Sequence, residues 1–172
     1  MQHEDVDRLT DAEWLSLRAT REFWRGRIRH FGGLDQSLAP DTPEDQRGRA
    51  AFHHIFLVKP LLEHSNVLEL GCGSARCSWI PEHSMQYIGV DFLEEFLALA
   101  RRRQPDCRYV CCSARRLPFP PETFDIVLGV DVASSLAYRF DTEVLPEVKR
   151  VLKPLGMFVL AEIDYVRFAW KT

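Results

Sequence analysis

Few backbone courses are open to Val67-Leu68-Glu69-Leu70-Gly71-Cys72-Gly73-Ser74-Ala75. An apolar run carrying one acid stops at two glycines spaced one residue apart, and small residues follow. A buried parallel strand that turns tightly into a helix needs this pattern. The first glycine permits the sharp exit, and the second lets ligand atoms approach bare backbone. The N-terminus of a following helix offers unpaired N–H groups at the same place. The turn therefore predicts a nucleotide-like cofactor lying over the carboxyl end of the strand.

The rest of the chain supplies the sheet around that strand. Short apolar runs at Gln86–Val90, Arg108–Cys111, Phe124–Gly129 and Met157–Ile163 read as further strands. Helical spacing predicts Ser74–Ile80, cut off by Pro81, then Leu93–Arg103 and Thr142–Leu152. Continuous apolar strands alternating with helices indicate a parallel α/β sheet covered on both faces. Upstream, residues 10–31 and 49–63 read as helices separated by a Pro- and Asp-rich loop. The expected organisation is a helical lid or cap over 1–65 and a cofactor-binding core over 66–172.

Size and charge narrow the function. The chain has 172 residues, enough for one domain with a sizeable core, and a net charge of −3. That charge gives no overall basic field, so nucleic acid is an unexpected partner. Apolar runs fall well short of the roughly 18 residues that span a bilayer, so no membrane segment is expected. The start, Met1-Gln2-His3-Glu4-Asp5, resembles neither a secretory signal nor a transit peptide. Five cysteines include no CxxC pair, which fits reduced thiols and a cytoplasmic location. A metal site built from Cys107, Cys111 and Cys112 is conceivable. Packing is the better reading, because neighbours such as Cys111 and Cys112 point to opposite faces of a strand.

Two positions decide between cofactors. A dinucleotide fingerprint places a third glycine three residues after the second, where this chain has Arg76. Asp91 closes Tyr87-Ile88-Gly89-Val90-Asp91, twenty residues beyond Gly71. An acid at the tip of a second strand accepts hydrogen bonds from ribose hydroxyls. It can equally cap the helix that begins near Leu93.

Four segments together resemble the class I S-adenosylmethionine-dependent methyltransferases, in the small-molecule, type 11-like branch. They are the glycine turn, the strand ending at Asp91, Arg116–Pro120 with Phe124–Val127, and Leu145–Gly156. Their order and spacing match over about 66–163. The resemblance implies a Rossmann-like, doubly wound parallel sheet of order 3-2-1-4-5, with helices on both faces and an N-terminal helical lid. It implies S-adenosylmethionine as cofactor and no metal. Glu69, Gly71, Cys72 and Gly73 would cradle the methionine part and ribose, and Asp91 would take the ribose hydroxyls. Phe92 would lie against the adenine, with Ser113 and Ala114 near its edge. Val130 and Asp131 would border the sulfonium and the methyl acceptor. Asp125 reads as structural.

The chain also departs from the family pattern. Ala75 stands where a third small glycine is common, which is tolerable unless a positive φ is required. Ser113 replaces a common aspartate, and Ser135 lies near where many relatives carry a histidine. His53, His54 and His64 read as surface or packing residues. Trp24, Arg25, Arg47 and Arg49 are candidates near the methionine carboxylate or substrate, each individually readable as packing or surface. Past strand five only Asp164–Thr172 remain, too few for a further crossover and strand. The chain is therefore expected to be a shortened form, or to cover its apolar strand-five edge with its own N-terminal part, another subunit or a partner.

Methyl transfer from a sulfonium is an in-line displacement whose leaving group departs neutral. The protein must supply alignment, which contributes up to roughly 7–11 kcal/mol in well-held systems, and an unprotonated acceptor. Asp131 is the candidate to orient or deprotonate that acceptor, and it is also readable as a loop acid or cap. The expected function is methyl transfer to an unidentified small molecule or protein. The alternative is a catalytically silent cofactor-binding or interaction protein. A nicotinamide-binding protein is disfavoured by Arg76.

Overall fold

A computed structural model describes residues 20–30, 62–75, 79–130 and 132–161. Among these, five strands form one sheet: β1 Asn66–Leu70, β2 Gln86–Asp91, β3 Arg108–Cys111, β4 Phe124–Val130 and β5 Leu152–Ala161. Their order is β3-β2-β1-β4-β5, and every pairing is parallel. Among the described residues the helices are α1 Arg21–His30, α2 Trp79–His83, α3 Glu94–Arg103, α4 Ala133–Leu136 and α5 Leu145–Val151. A π-helical turn, Phe140–Val144, leads into α5.

Alternation along the strands divides the core between the two faces of the sheet. Leu68, Leu70, Val90 and Val127 pack with Val144, Val148 and Val151 on one face. Val67, Ile126, Leu128 and Val130 meet Leu62 and Ile80 on the other. Further along that second face, Leu97 and Ala100 of α3 join Cys72, Ala75 and Tyr109 beneath the glycine turn. This two-sided burial is why the strands read as nearly continuous apolar runs. The doubly wound sheet and its order agree with expectation.

Local boundaries differ from the sequence reading in three places. Ser74 and Ala75 belong to a turn, and the next described helix is Trp79–His83, with Pro81 inside it. Proline is tolerated in a first helical turn, where its missing N–H has no partner to lose. The expected Thr142–Leu152 helix starts as the π-helical turn, with Pro146 at the join to α5. Pro146 cannot give the N–H that an α-turn would send to Thr142. Strand five starts at Leu152 rather than Met157, because its register jumps from Phe124↔Leu152 to Ile126↔Met157. The intervening Lys153–Gly156 bulges outward, and Leu155 there is left-handed with φ 65°. Lys153 Nζ returns to both carboxylate oxygens of Asp125 at 2.8 and 2.9 Å. Asp125 also accepts the Asn66 N–H at 2.9 Å. Asp125 thus ties β1, β4 and β5 together at the end of the sheet opposite the glycine turn, in keeping with its structural reading.

Most of the expected lid, residues 1–19 and 31–61, lies outside the described residues, and with it Arg47, Arg49, His53 and His54. Helix α1 is described, and it packs on α3. The Trp24 ring meets Phe96 edge-on at 6.3 Å between centroids, and Arg25 Nε donates to Glu95 at 2.7 Å. His64 is exposed. At the end of the sheet, Met157 and Leu160 of β5 are partly exposed. Among the described residues no helix is long and apolar enough to cross a membrane.

Candidate cofactor site

The sheet order places the site. Successive connections run from β1 outward to β2 and β3, and the chain then returns to β4 on the other side of β1. The carboxyl ends of β1 and β4 therefore face a crevice, where open α/β sheets bind ligands. Gly71, at the exit of β1, has φ 64°, and Gly73 has φ 54°. A Cβ on Gly71 would lie 2.3 Å from Val132 Cγ2, and one on Gly129 would lie 2.6 Å from Val132 Cγ1. Val132 thus fills the space that two glycines leave, and it locks the turn after β1 to the exit of β4. Ala75 adopts φ 58°, so this position does require the positive φ that makes alanine strained there. Arg103, at the end of α3, holds the same turn by donating to Ser74 O at 3.1 Å and Ser74 Oγ at 2.7 Å.

Two buried carboxyls flank the turn. Asp91 Oδ2 accepts the Gly73 N–H at 3.1 Å, and Asp91 Oδ1 accepts the Leu93 N–H at 2.9 Å. The second bond anchors the entry to α3, and the first reaches across to the glycine turn. Each oxygen retains a second lone pair for a ligand hydroxyl, so the capping role and the ribose role are compatible. Burial pushes Asp91 up to about 6 against the pull of its backbone N–H donors. Glu69 accepts the Tyr87 hydroxyl at 2.5 Å. Burial pushes Glu69 up to about 7, opposed by the Tyr87 hydrogen bond and reinforced by the charge of Asp91. The Cys72 thiol between the glycines is buried and held well above its ordinary range, first by burial and then by Glu69 and Asp91.

The remaining candidates lie at neighbouring strand ends. Phe92 follows Asp91, and its carbonyl receives the Cys111 thiol at 3.7 Å. Ser113 is exposed, and its hydroxyl accepts the Arg115 N–H at 3.2 Å. Ala114 packs against the core beneath it. Val130 is buried at the end of β4. Asp131 lies outside the described residues, as do Arg76 and Cys77. Arg25 is engaged by Glu95 rather than placed beside Glu69 or Gly73. The Ser135 hydroxyl is buried and has no hydrogen-bond partner among the described residues. Among the described residues no group of three or more His, Cys, Asp or Glu is placed to hold a metal ion.

Reading the sequence alone missed Tyr87 and Val132. A glycine inside a strand marks a close approach by something else. Gly89 and Gly129 carried that signal, since Tyr87 and Val132 occupy the space beside them.

The two carboxyls offer acceptors suited to hydroxyl groups and to a cation. S-adenosylmethionine brings cationic groups and a ribose diol, so its chemistry fits this donor set.

Comparison with known proteins agrees. The family described as "Methyltransferase domain" matches residues 68–160. The phthiotriol/phenolphthiotriol dimycocerosates methyltransferase of Mycobacterium tuberculosis is 32% identical over 127 residues, covering 71% of this chain and 46% of that protein. A fatty-acid O-methyltransferase of Mycolicibacterium smegmatis is 33% identical over the same shares. The crystal structure of an S-adenosylmethionine-dependent methyltransferase from Mesorhizobium loti superposes with TM-score 0.57 at 25% identity. It covers 68% of this chain and 54% of that one. The chain spans about half the length of the curated relatives it matches.

Proposed function

The chain belongs to the class I S-adenosylmethionine-dependent methyltransferases, and we propose that it transfers the methyl group of S-adenosylmethionine to an oxygen of an apolar, lipid-like acceptor. The observation that carries cofactor capture is the pair of buried carboxyls, Glu69 and Asp91, set around a positive-φ glycine turn at the switch point of the sheet. The acceptor class is supported by the names of the two mycobacterial relatives, one acting on phthiotriols and one on fatty acids.

When bound, S-adenosylmethionine supplies a methyl group activated by a positively charged sulfur. Asp91 receives the ribose hydroxyls while keeping its bonds to Gly73 and Leu93. Glu69 presents an acceptor to the cationic part. Gly73 leaves the approach to the turn free of a side chain. Val130, Val132 and Leu136, buried at and beyond the exit of β4, make the ground behind the crevice apolar. Asp131, next in sequence, is the residue proposed to orient the acceptor or take its proton.

Thermal-shift and calorimetric titration with S-adenosylmethionine and S-adenosylhomocysteine test the first half. Both ligands should stabilise the protein. Asp91→Ala should weaken binding about 10- to 150-fold, the range for losing a charged hydrogen-bonding group. Stabilisation by NAD and by neither of these ligands would overturn the reading. Transfer of radiolabelled methyl to fatty acids or hydroxylated lipids tests the second half, and binding without transfer to any acceptor identifies a silent binder.

A further inference from the structure

Tyr87 is the second residue of β2, and its hydroxyl reaches Glu69, near the carboxyl end of β1. Glu69, Gly89 and Tyr109 are register partners across three strands, so they share a face. Tyr87 lies on that face two residues before Gly89. A Cβ on Gly89 would lie 2.8 Å from the Tyr87 hydroxyl, 2.9 Å from Cys72 Sγ and 2.9 Å from Tyr109 Cδ1. The missing side chain is therefore the slot through which the phenol runs. Its hydroxyl ends on Glu69 Oε2 at 2.5 Å. Tyr109 steadies the ring, meeting it edge-on at 6.2 Å, and is itself tied to Gln104 Oε1 at 3.1 Å.

We propose that Tyr87 is a positioning residue for cofactor capture: its hydroxyl, threaded past Gly89, holds the Glu69 carboxylate as a hydrogen-bond acceptor beside the glycine turn. The inference rests on the S-adenosylmethionine reading above and names a residue that tunes that site. A buried carboxyl favours its protonated form, which no longer offers a negative charge to a cation. Among the described residues, the titratable groups facing Glu69 are Tyr87 and Asp91 from β2, Cys72 from the turn and Tyr109 from β3. Asp91 opposes ionisation of Glu69 by its charge, whereas Tyr87 favours it by donating a hydrogen bond. Burial and the neighbouring Glu69 also hold the Tyr87 phenol well above its ordinary range, so it remains a donor throughout the neutral range.

The test is calorimetric titration of the full chain with S-adenosylmethionine and S-adenosylhomocysteine from pH 5.5 to 8.5. It compares wild type, Tyr87→Phe, Glu69→Gln and the double variant. Tyr87→Phe should bind about tenfold more weakly at pH 7. Its affinity should begin to fall at a higher pH than that of wild type, and the gap should narrow toward pH 8.5. Glu69→Gln should flatten the pH profile, and adding Tyr87→Phe to it should cost little more. A carboxyl-carbon NMR titration of the ligand-free protein reads the same effect directly, as a rise in the Glu69 midpoint in Tyr87→Phe. Should that variant fold poorly, a fluorinated tyrosine at position 87, a stronger donor of nearly the same shape, should lower the midpoint. Equal weakening at every pH, or an unmoved midpoint, overturns the inference and leaves cofactor binding standing. Failure of the wild type to bind either ligand overturns both.

Discussion

Burial at the glycine turn disfavours the charged forms of Glu69 and Asp91. Both have folded-state values raised above their ordinary ones, to about 7 and about 6. A carboxyl raised on folding contributes stability that is full below its unfolded value and lost as pH rises through its folded value. The ligand-free protein should therefore lose stability between about pH 4 and pH 7, on the order of 3 kcal/mol for each group. Glu69→Gln removes one titration and can still accept the Tyr87 hydroxyl through its amide oxygen. It should raise stability at pH 8 and flatten the slope between pH 4.5 and 7 in urea denaturation, while weakening cofactor binding. An unchanged slope would show that Glu69 does not carry this cost. Such a gain in stability at the expense of function is common at binding sites.

At the scale of elements, the turn after β1 and the exit of β4 form one packed unit. Gly71→Ala places a methyl in the left-handed region and drives it into Val132. The backbone cost is roughly 1–2 kcal/mol, and overpacking adds roughly 1–3 kcal/mol. Adding Val132→Ala should recover the second part only, giving a coupling of about 1 kcal/mol or more in a double-mutant cycle read by chemical denaturation. Additive effects would show that the two elements are not in contact. This juxtaposition is invisible in the sequence, because 61 positions separate Gly71 from Val132. The strand-to-turn transition itself is legible, because the turn needs positive φ and glycine supplies it. Pro81 misled one boundary reading, because a proline ends a helix only where its missing N–H would have been used, and Pro81 lies in the first turn of its helix.

Across the whole molecule, β1 is the central strand, flanked by β2 and β4 and covered by helices on both faces. Amide exchange should be slowest at Leu68 and Leu70 and faster at Tyr109 and Val110 of β3, which pairs with β2 on one side in this sheet. Global opening is required to expose the former, and local fraying suffices for the latter. Equal protection in native-state exchange would indicate that the sheet opens as a single unit.

The sequence by itself determined the parallel α/β class, the glycine turn and the identity of most residues around it. Apolar runs, glycines and a strand-terminal acid express local requirements, and local requirements are written in local sequence. Only the tertiary structure decided how those residues act on one another. It set Asp91 to serve the turn and α3 together, closed Val132 over two glycines and threaded Tyr87 past Gly89 onto Glu69. Each of these depends on register between strands, and register is fixed by the packing of the whole sheet rather than by any one segment.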